Sequence, residues 1–127
     1  MNDKEQRPVI FVDQRKKRIR IHKVTLRMLG NPAYIQILIN PVTMSLAIKS
    51  CDKKARLALR VPKRKNDCCD LYSTNLVKLF YGICSKWDNF SQYRLYGKYV
   101  SLHNLAYFKM EDGRIYNEQE GSVTAYE

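Results

Sequence analysis

The stretch KRIRIHKVTLRMLGNPAYIQILINPVTMSLAIK, residues 17–49, decides the fold because its periodicity changes along its length. It opens with residues 17–22, in which Ile19 and Ile21 alternate with charged or polar side chains. Alternation with a period of two is typical of a β-strand with one apolar face. The opposite face of this strand would then carry the side chains of Arg18, Arg20 and His22.

A short helix signal follows the strand. Residues 23–30 hold Leu26 and Leu29 three positions apart and end in Gly30, a residue that commonly follows the last turn of a helix. Asn31-Pro32 then prevents the helix from continuing. The pattern predicts a helix of barely two turns.

A β-hairpin is predicted next. Residues 33–39 and 44–49 both alternate apolar and other side chains, and Asn40-Pro41-Val42-Thr43 lies between them. Asn at the first position and Pro at the second favour a type I turn. We therefore predict two antiparallel strands joined by a four-residue loop.

The remaining segments repeat this order of elements. They predict an edge strand or docking segment at 8–13, a strand at 56–61, a polar loop at 62–70, a helix at about 74–87 capped by Ser73, and strands at 91–100 and 105–110. The order strand–helix–strand–strand thus occurs twice. We expect an α+β protein with mostly antiparallel hairpins, one short and one longer helix, and a small barrel-like or two-layer architecture.

These elements define an expected domain organisation. We expect one compact globular domain, made of an N-terminal segment (1–14), a basic strand–helix–hairpin unit (15–51), a second such unit that supplies core or interface (56–111) and an acidic, mobile tail (112–127).

Positive charge is concentrated in the first half of the chain. The formal net charge is +11, and residues 1–66 contain 17 Lys/Arg against 4 Asp/Glu, whereas residues 67–127 contain 6 against 8. A charge that served solubility alone would be spread evenly. The asymmetry indicates a basic patch that meets nucleic acid or an acidic partner.

Residues 17–30, KRIRIHKVTLRMLG, resemble the AbrB-type swapped-hairpin DNA-binding domain of transition-state regulators and antitoxins. That family's stretch reads Gly-Arg-Ile-Val-Ile-Pro-Lys-Glu-Ile-Arg-Lys-Thr-Leu-Gly and is followed by a β-hairpin, as here. The resemblance covers about residues 15–51, and Lys17 and His22 depart from the family's Gly and Pro. The matching residues are Arg18, Ile19, Ile21, Lys23, Leu29 and Gly30, with Arg27 in place of a lysine.

The resemblance implies both a fold and a function. The hairpins of two units would interlock into one barrel, either in a homodimer or through the second half of the same chain. The basic face would then bind double-stranded DNA, as in a transcriptional regulator or an antitoxin-like module.

The candidate nucleic-acid-binding residues form two basic clusters. Lys and Arg donate charge-assisted hydrogen bonds to phosphates, and the planar Arg fork also fits guanine. Alternatively, the basic strand is a solvated sheet edge whose charge discourages edge-to-edge pairing. The candidates are Arg15, Lys16, Lys17, Arg18, Arg20, Lys23, Arg27, Arg60, Lys63, Arg64 and Lys65, with Arg15–Lys17 expected to be a flexible lead-in.

Two further interpretations remain open. The last two predicted strands are rich in tyrosine (Tyr93, Tyr96, Tyr99 and Tyr107), which either packs in the core or stacks single-stranded bases. The basic face could instead dock an acidic protein in an interaction or structural module.

Catalysis, metal binding and membrane insertion are not expected. The four cysteines form no CxxC pair, and neither histidine has the spacing of a zinc ligand relative to them. The sequence contains no recognisable nucleophile motif, phosphate-binding loop or apolar run that could span a bilayer. We expect a cytoplasmic protein that needs no cofactor.

Overall fold

The structure is a computed structural model that describes residues 7–63 and 68–117. Within these ranges the chain forms ten strands, two α-helices and a short 3-10 turn at Met110–Asp112. The strands are β1 (Val9–Asp13), β2 (Arg18–His22), β3 (Tyr34–Asn40), β4 (Ser45–Ser50), β5 (Leu59–Arg60), β6 (Cys68–Tyr72), β7 (Gln92–Tyr96), β8 (Lys98–Val100), β9 (Leu105–Lys109) and β10 (Arg114–Tyr116), and the helices are α1 (Lys23–Met28) and α2 (Thr74–Ile83).

The strands form two five-stranded sheets. Sheet A has the order β10-β7-β1-β2-β6, sheet B has the order β5-β3-β4-β9-β8, and every neighbouring pair is antiparallel. The α+β expectation with mostly antiparallel pairing is confirmed. The barrel-like alternative is wrong, because both sheets are open, with β10 and β6 at the edges of sheet A and β5 and β8 at the edges of sheet B.

The predicted strand–helix segment is confirmed. In β2, Ile19 and Ile21 are fully buried, and α1 begins at the next residue after the strand. His22 caps the helix, since its Nδ1 accepts a hydrogen bond from the Val24 N–H at 3.1 Å. Gly30 follows the helix with φ +88°, a conformation that glycine adopts without steric cost.

The predicted hairpin is also confirmed, with its four-residue loop one residue later than predicted. Strands β3 and β4 pair so that Asn40 lies opposite Ser45, which leaves a four-residue loop at 41–44. The Asn40 side-chain oxygen accepts hydrogen bonds from the backbone N–H groups of Val42 (3.0 Å) and Thr43 (3.2 Å). Asn40 therefore shapes the turn through its side chain.

Several predicted boundaries are wrong. Strand β1 lies in the middle of sheet A rather than at an edge, because β2 and β7 pair with its two sides. The segment predicted as a polar loop, 62–70, includes the first three residues of β6, a strand in which Cys69 and Leu71 are buried. Helix α2 ends at Ile83 rather than near Trp87. Only Leu59–Arg60 of the predicted strand at 56–61 is extended, and the predicted tail contributes β10 before residues 118–127, which lie outside the described ranges.

Gly97 divides what the sequence predicts as one strand. Strand β7 pairs within sheet A and β8 pairs within sheet B, so the chain passes from one sheet to the other at this residue. A Cβ atom on Gly97 would lie 2.5 Å from the Tyr107 carbonyl oxygen and 2.6 Å from the Phe108 ring. Only glycine allows the two sheets to approach this closely here.

The two sheets and α2 share one apolar core. Sheet A contributes fully buried pairs such as Ile10 opposite Ile21, and sheet B contributes Ile48 opposite Ala106. Helix α2 buries one side, including Phe80, and is capped by Ser73, whose Oγ accepts a hydrogen bond from the Leu76 N–H at 3.2 Å. The core therefore joins elements from both halves of the chain.

The sheet order also has an internal two-fold pattern. Strands β2 and β6 pair with each other, and each is followed at once by a helix. Strands β4 and β9 pair with each other, and each is the second strand of a hairpin. A strand–helix–hairpin order thus occurs twice, but the second unit differs from the predicted one, because β6 rather than residues 56–61 precedes α2 and β7 lies between α2 and the β8–β9 hairpin.

Candidate nucleic-acid interface

The side of sheet A that faces away from the core carries the first candidate cluster. We call it the outer face of sheet A and define it by two rows of side chains that cross all five strands. The register aligns Tyr116, Gln92, Asp13, Arg18 and Tyr72 in one row, and Arg114, Arg94, Phe11, Arg20 and Asp70 in the next. These ten positions hold four arginines, two aspartates and three aromatic rings.

Arg18 lies on this face as the alternation predicts, but it is only 5% exposed. Its Nε lies 3.6 Å from Asp13 Oδ2, and its Nη1 lies 3.3 Å from Asp70 Oδ2. A buried arginine between two carboxylates neutralises charge inside the protein. The arginine is thus committed to an internal ion pair, which the sequence interpretation did not anticipate.

Arg20 is paired with Asp70 as well. Its Nε donates to Asp70 Oδ1 at 2.8 Å and its Nη2 donates to Oδ2 at 3.2 Å. These hydrogen bonds and the charges of Arg20 and Arg18 hold the pKa of the Asp70 carboxyl below its ordinary value, although partial burial acts in the opposite direction. The basic strand is therefore balanced by an acidic residue on β6.

The turn between β1 and β2 presents cations to solvent. Arg15 and Lys16 are exposed, and their backbone N–H groups donate to Asp13 Oδ1 at 3.1 and 3.3 Å. Lys17 is half-buried, has φ +53° and donates from Nζ to the Gln14 side chain at 3.0 Å. Instead of a flexible lead-in, residues 15–17 form a tight turn held by Asp13.

Arg94 on β7 is the arginine of this face most directly associated with aromatic rings. Its guanidinium carbon lies 4.8 Å from the centre of the Tyr96 ring and 5.8 Å from the centre of the Tyr116 ring. Its Nε is buried, and no acceptor within the described ranges forms a hydrogen bond with it. A buried donor without an acceptor costs about 1–3 kcal/mol, which singles out Arg94 as a residue whose role needs an explanation.

Aromatic side chains surround Arg94. Phe11 and Tyr116 pack together with ring centroids 4.7 Å apart, and Tyr96 is 42% exposed. Arg7 lies over the same Tyr96 ring at 5.4 Å. This side of sheet A therefore combines the exposed Tyr96 ring and the half-buried Phe11 and Tyr116 rings with arginines, and both kinds of group interact favourably with nucleobases and phosphates.

Part of the second basic cluster lies beside β6, an edge strand of sheet A. Arg60 and Lys63 are exposed and, with Asp70 and Tyr72 of β6, line a concavity of about 450 Å³. The exposed cations of the two clusters thus lie at different places around sheet A, with Arg15 and Lys16 in the β1–β2 turn and Arg60 and Lys63 beside the edge strand β6. Arg64 and Lys65 lie outside the described residues.

The two candidates on α1 differ in exposure. Lys23 is half-buried at the start of the helix, and Arg27 is exposed in its last turn. Neither belongs to the two rows that define the outer face of sheet A.

The four candidate tyrosines do not form one stacking surface. Tyr93 is buried and stacks on Trp87 with ring centroids 4.2 Å apart. Tyr99 and Tyr107 are half-buried in sheet B, so Tyr96 alone among the four lies on the side of sheet A that faces outward. For Tyr93, the core interpretation is confirmed.

Sequence reasoning missed Arg94, Gln92 and Tyr116. The signal for the first two was present, because Gln92, Arg94 and Tyr96 alternate with the core residues Tyr93 and Leu95. No comparable pattern marks Tyr116, since it lies in a segment that the sequence predicts to be a mobile tail.

The described residues give no geometric indication of a metal site or a membrane span. Within residues 7–63 and 68–117, no group of three or more His, Cys, Asp or Glu side chains is arranged to hold a metal ion. No helix in this part of the chain has the length and apolar character needed to cross a bilayer.

Comparison with known proteins gives no relative. The chain matches no protein-family model, and neither a curated protein nor a solved structure is significantly similar to it.

Proposed function

We propose that this protein binds nucleic acid through the outer face of sheet A, and that single-stranded RNA or DNA is the form that fits this face. The observation that carries the proposal is Arg94, whose guanidinium lies between two tyrosine rings with its buried Nε lacking an acceptor among the described residues. A phosphate would offset the charge of this guanidinium, which has no carboxylate partner in the two rows, while the neighbouring rings stack on bases.

The charge balance of the face supports the same proposal. The carboxylates of Asp13 and Asp70 lie beside Arg18 and Arg20, which leaves Arg94 and Arg114 without carboxylate partners in the two rows. Arg94 and Arg114 are also direct cross-strand partners, and two like charges in such positions destabilise a sheet. A bound polyanion would offset that cost.

A direct test is a binding titration against salt. Fluorescence anisotropy with labelled single-stranded DNA, single-stranded RNA and duplex DNA should give the tightest binding for a single strand. The slope of log K against log salt should fall by about 0.7 in Arg94→Ala, because each single-strand phosphate contact contributes that amount. Lys98→Ala, which removes an exposed charge from sheet B, serves as the matched control.

Two results would contradict the proposal. One is the absence of binding to any of the three nucleic acids at about 50 mM salt, where electrostatic contacts are strong. The other is an Arg94→Ala protein that binds with the affinity and salt slope of the wild type. Equal binding to an acidic polypeptide such as polyglutamate would favour the acidic-partner alternative, because a basic face attracts either polyanion.

A DNA-binding regulator of the AbrB type is the second candidate. Its support is the strand–helix–hairpin order of residues 18–50 and the repetition of that order in the second half. The residues that would contact duplex phosphates are the exposed Arg15 and Lys16 in the β1–β2 turn and Arg60 and Lys63 beside β6. Tighter binding to duplex than to single strands, lost in Arg15→Ala with Lys16→Ala, would favour this candidate.

A further inference from the structure

We infer that a concavity at the turn end of sheet A is a nucleobase pocket that receives one base of the bound single strand. The concavity has a volume of about 380 Å³ and lies between the β1–β2 turn, the segment that leads into β7 and the end of β10. Pockets of about 300 Å³ or more commonly hold small organic groups. The inference rests on the proposed function and names the chemical group that this part of the face would recognise.

The wall of the concavity contains an acceptor that lacks a donor. Gln92 Oε1 is buried, and nothing within the described residues donates a hydrogen bond to it. Gln92 lies in the row between Asp13 and Tyr116, so its side chain is part of the concavity lining. Because Oε1 is covered by protein atoms, the Gln92 amide must rotate towards the concavity to meet a base. The amino or imino N–H groups of a base edge would then satisfy it without a charged ligand.

Aromatic surface is available in the same concavity. Phe90 is 81% exposed although it is a large apolar residue, and Tyr116 contributes a second ring. Exposed rings at a polar site are the groups on which unstacked bases pack.

Cations stand at the rim where the phosphate of the same nucleotide would lie. Arg15 and Lys16 line the concavity and are exposed. The carboxylate of Asp13 accepts hydrogen bonds from the backbone N–H groups of Arg15 and Lys16 and forms an ion pair with Arg18, so its charge is already balanced inside the protein. The concavity therefore presents rings, the Gln92 amide and positive charge, which is the combination that a nucleotide satisfies.

An abasic strand separates base recognition from phosphate binding. We would compare a labelled 12-nucleotide DNA strand with the same backbone in which the bases are replaced by tetrahydrofuran residues, at equal salt. The wild type should bind the base-bearing strand about tenfold more tightly, the magnitude expected from stacking one or more bases. Phe90→Ala and Gln92→Leu should each reduce that preference at least threefold while the salt slope stays unchanged.

Controls distinguish the pocket from the face as a whole. Leu102→Ala removes an equally exposed apolar side chain from the β8–β9 turn and should leave the preference unchanged. Arg94→Ala should weaken both strands in parallel. Thermal unfolding of Phe90→Ala and Gln92→Leu establishes that the variants are folded, and Phe90 in particular is too exposed to support the core.

The outcomes separate the two proposals. Wild-type binding to both strands with equal affinity would overturn the nucleobase pocket and leave the proposed nucleic-acid face standing. A base preference that persists unchanged in both Phe90→Ala and Gln92→Leu would overturn it as well. Absence of binding to either strand would overturn the proposed function itself.

Discussion

Arg20 and Asp70 face each other across strands β2 and β6 and are joined by two hydrogen bonds of 2.8 and 3.2 Å, one to each carboxylate oxygen. The same carboxylate also lies 3.3 Å from Arg18. One aspartate on β6 therefore balances two arginines of the strand that the sequence marks as basic. Its removal would leave two positive charges close together, one of them buried.

The first prediction concerns the free energy of unfolding of Asp70→Asn. The variant should be less stable than the wild type by about 1–3 kcal/mol, because a partly buried arginine pair loses its charged partner. Urea unfolding at pH 7 measures the difference. Asp112→Asn, an exposed residue in the 3-10 turn, is the matched control and should change stability by less than about 0.5 kcal/mol. Equal losses in the two variants would contradict the assigned role of Asp70.

The second prediction is the pH dependence of that difference. The arginines lower the pKa of folded Asp70, so the folded state binds fewer protons there than the unfolded state does. The resulting stabilisation is fully present above the unfolded pKa of about 3.9 and is lost as pH falls through the lower folded pKa. The stability difference between wild type and Asp70→Asn should be constant above about pH 5 and shrink below about pH 4. A difference that grows on acidification would have the wrong sign.

The third prediction separates the structural arginine from the binding arginine. Arg18→Met should lower the melting temperature, since Asp13 and Asp70 lose their shared partner, yet the folded protein should bind a single strand within about twofold of wild type. Arg94→Ala should leave the melting temperature nearly unchanged and weaken binding to the single strand. Anisotropy and thermal unfolding on the same samples measure both quantities. A large loss of affinity in Arg18→Met without a stability loss would mean that Arg18 contacts the ligand.

The fourth prediction compares two glycine substitutions. Gly97→Ala should destabilise the protein by about 1–3 kcal/mol, because the added methyl group would overlap the Tyr107 carbonyl oxygen and the Phe108 ring. Gly82→Ala should stabilise it by about 0.5–1 kcal/mol, because the methyl group meets open space on an exposed helix position. Urea unfolding of both variants should give changes in the free energy of unfolding of opposite sign. A Gly97→Ala protein as stable as the wild type would contradict the close approach of the two sheets at Gly97.

The fifth prediction concerns thiol reactivity. Burial raises the pKa of the Cys84 thiol to about 11, so little thiolate forms at pH 8. Iodoacetamide should modify the less buried Cys51 well before Cys84 in the native protein, and mass spectrometry locates the adducts. Unfolding in urea should bring the two rates together. Faster labelling of native Cys84 would show that its environment is open.

Local patterns in the sequence were sufficient for the elements whose contacts are local. Asn40 shapes its own turn, and the alternation of Ile19 and Ile21 identifies the buried side of β2, because neighbouring residues decide both features. Helix α1 is similarly marked by Gly30 at its end.

Long-range pairing accounts for what the sequence analysis missed. Strand β6 has only five residues and follows a charged segment, so the alternation of Cys69 and Leu71 was too short to outweigh the loop signal. The ion pair between Asp70 and Arg20 joins residues 50 positions apart and forms only because β2 and β6 pair in the sheet. No local pattern could assign Arg20 to an ion pair within the protein. The arginines of β2, which the sequence predicts to bind nucleic acid, therefore mainly stabilise the fold.

The central position of β1 has a consequence for how the chain is made. One side of β1 pairs with β2, which follows it in the chain, and the other side pairs with β7, where Val9 lies opposite Tyr96. A ribosome adding roughly 5–20 residues each second needs roughly 4–17 seconds to synthesise the intervening residues. During that interval an apolar strand from the beginning of the chain has no permanent neighbour on one side, and such unpaired edges are prone to join other chains. The nascent chain is therefore expected to be most prone to pairing with other chains before β7 has been synthesised.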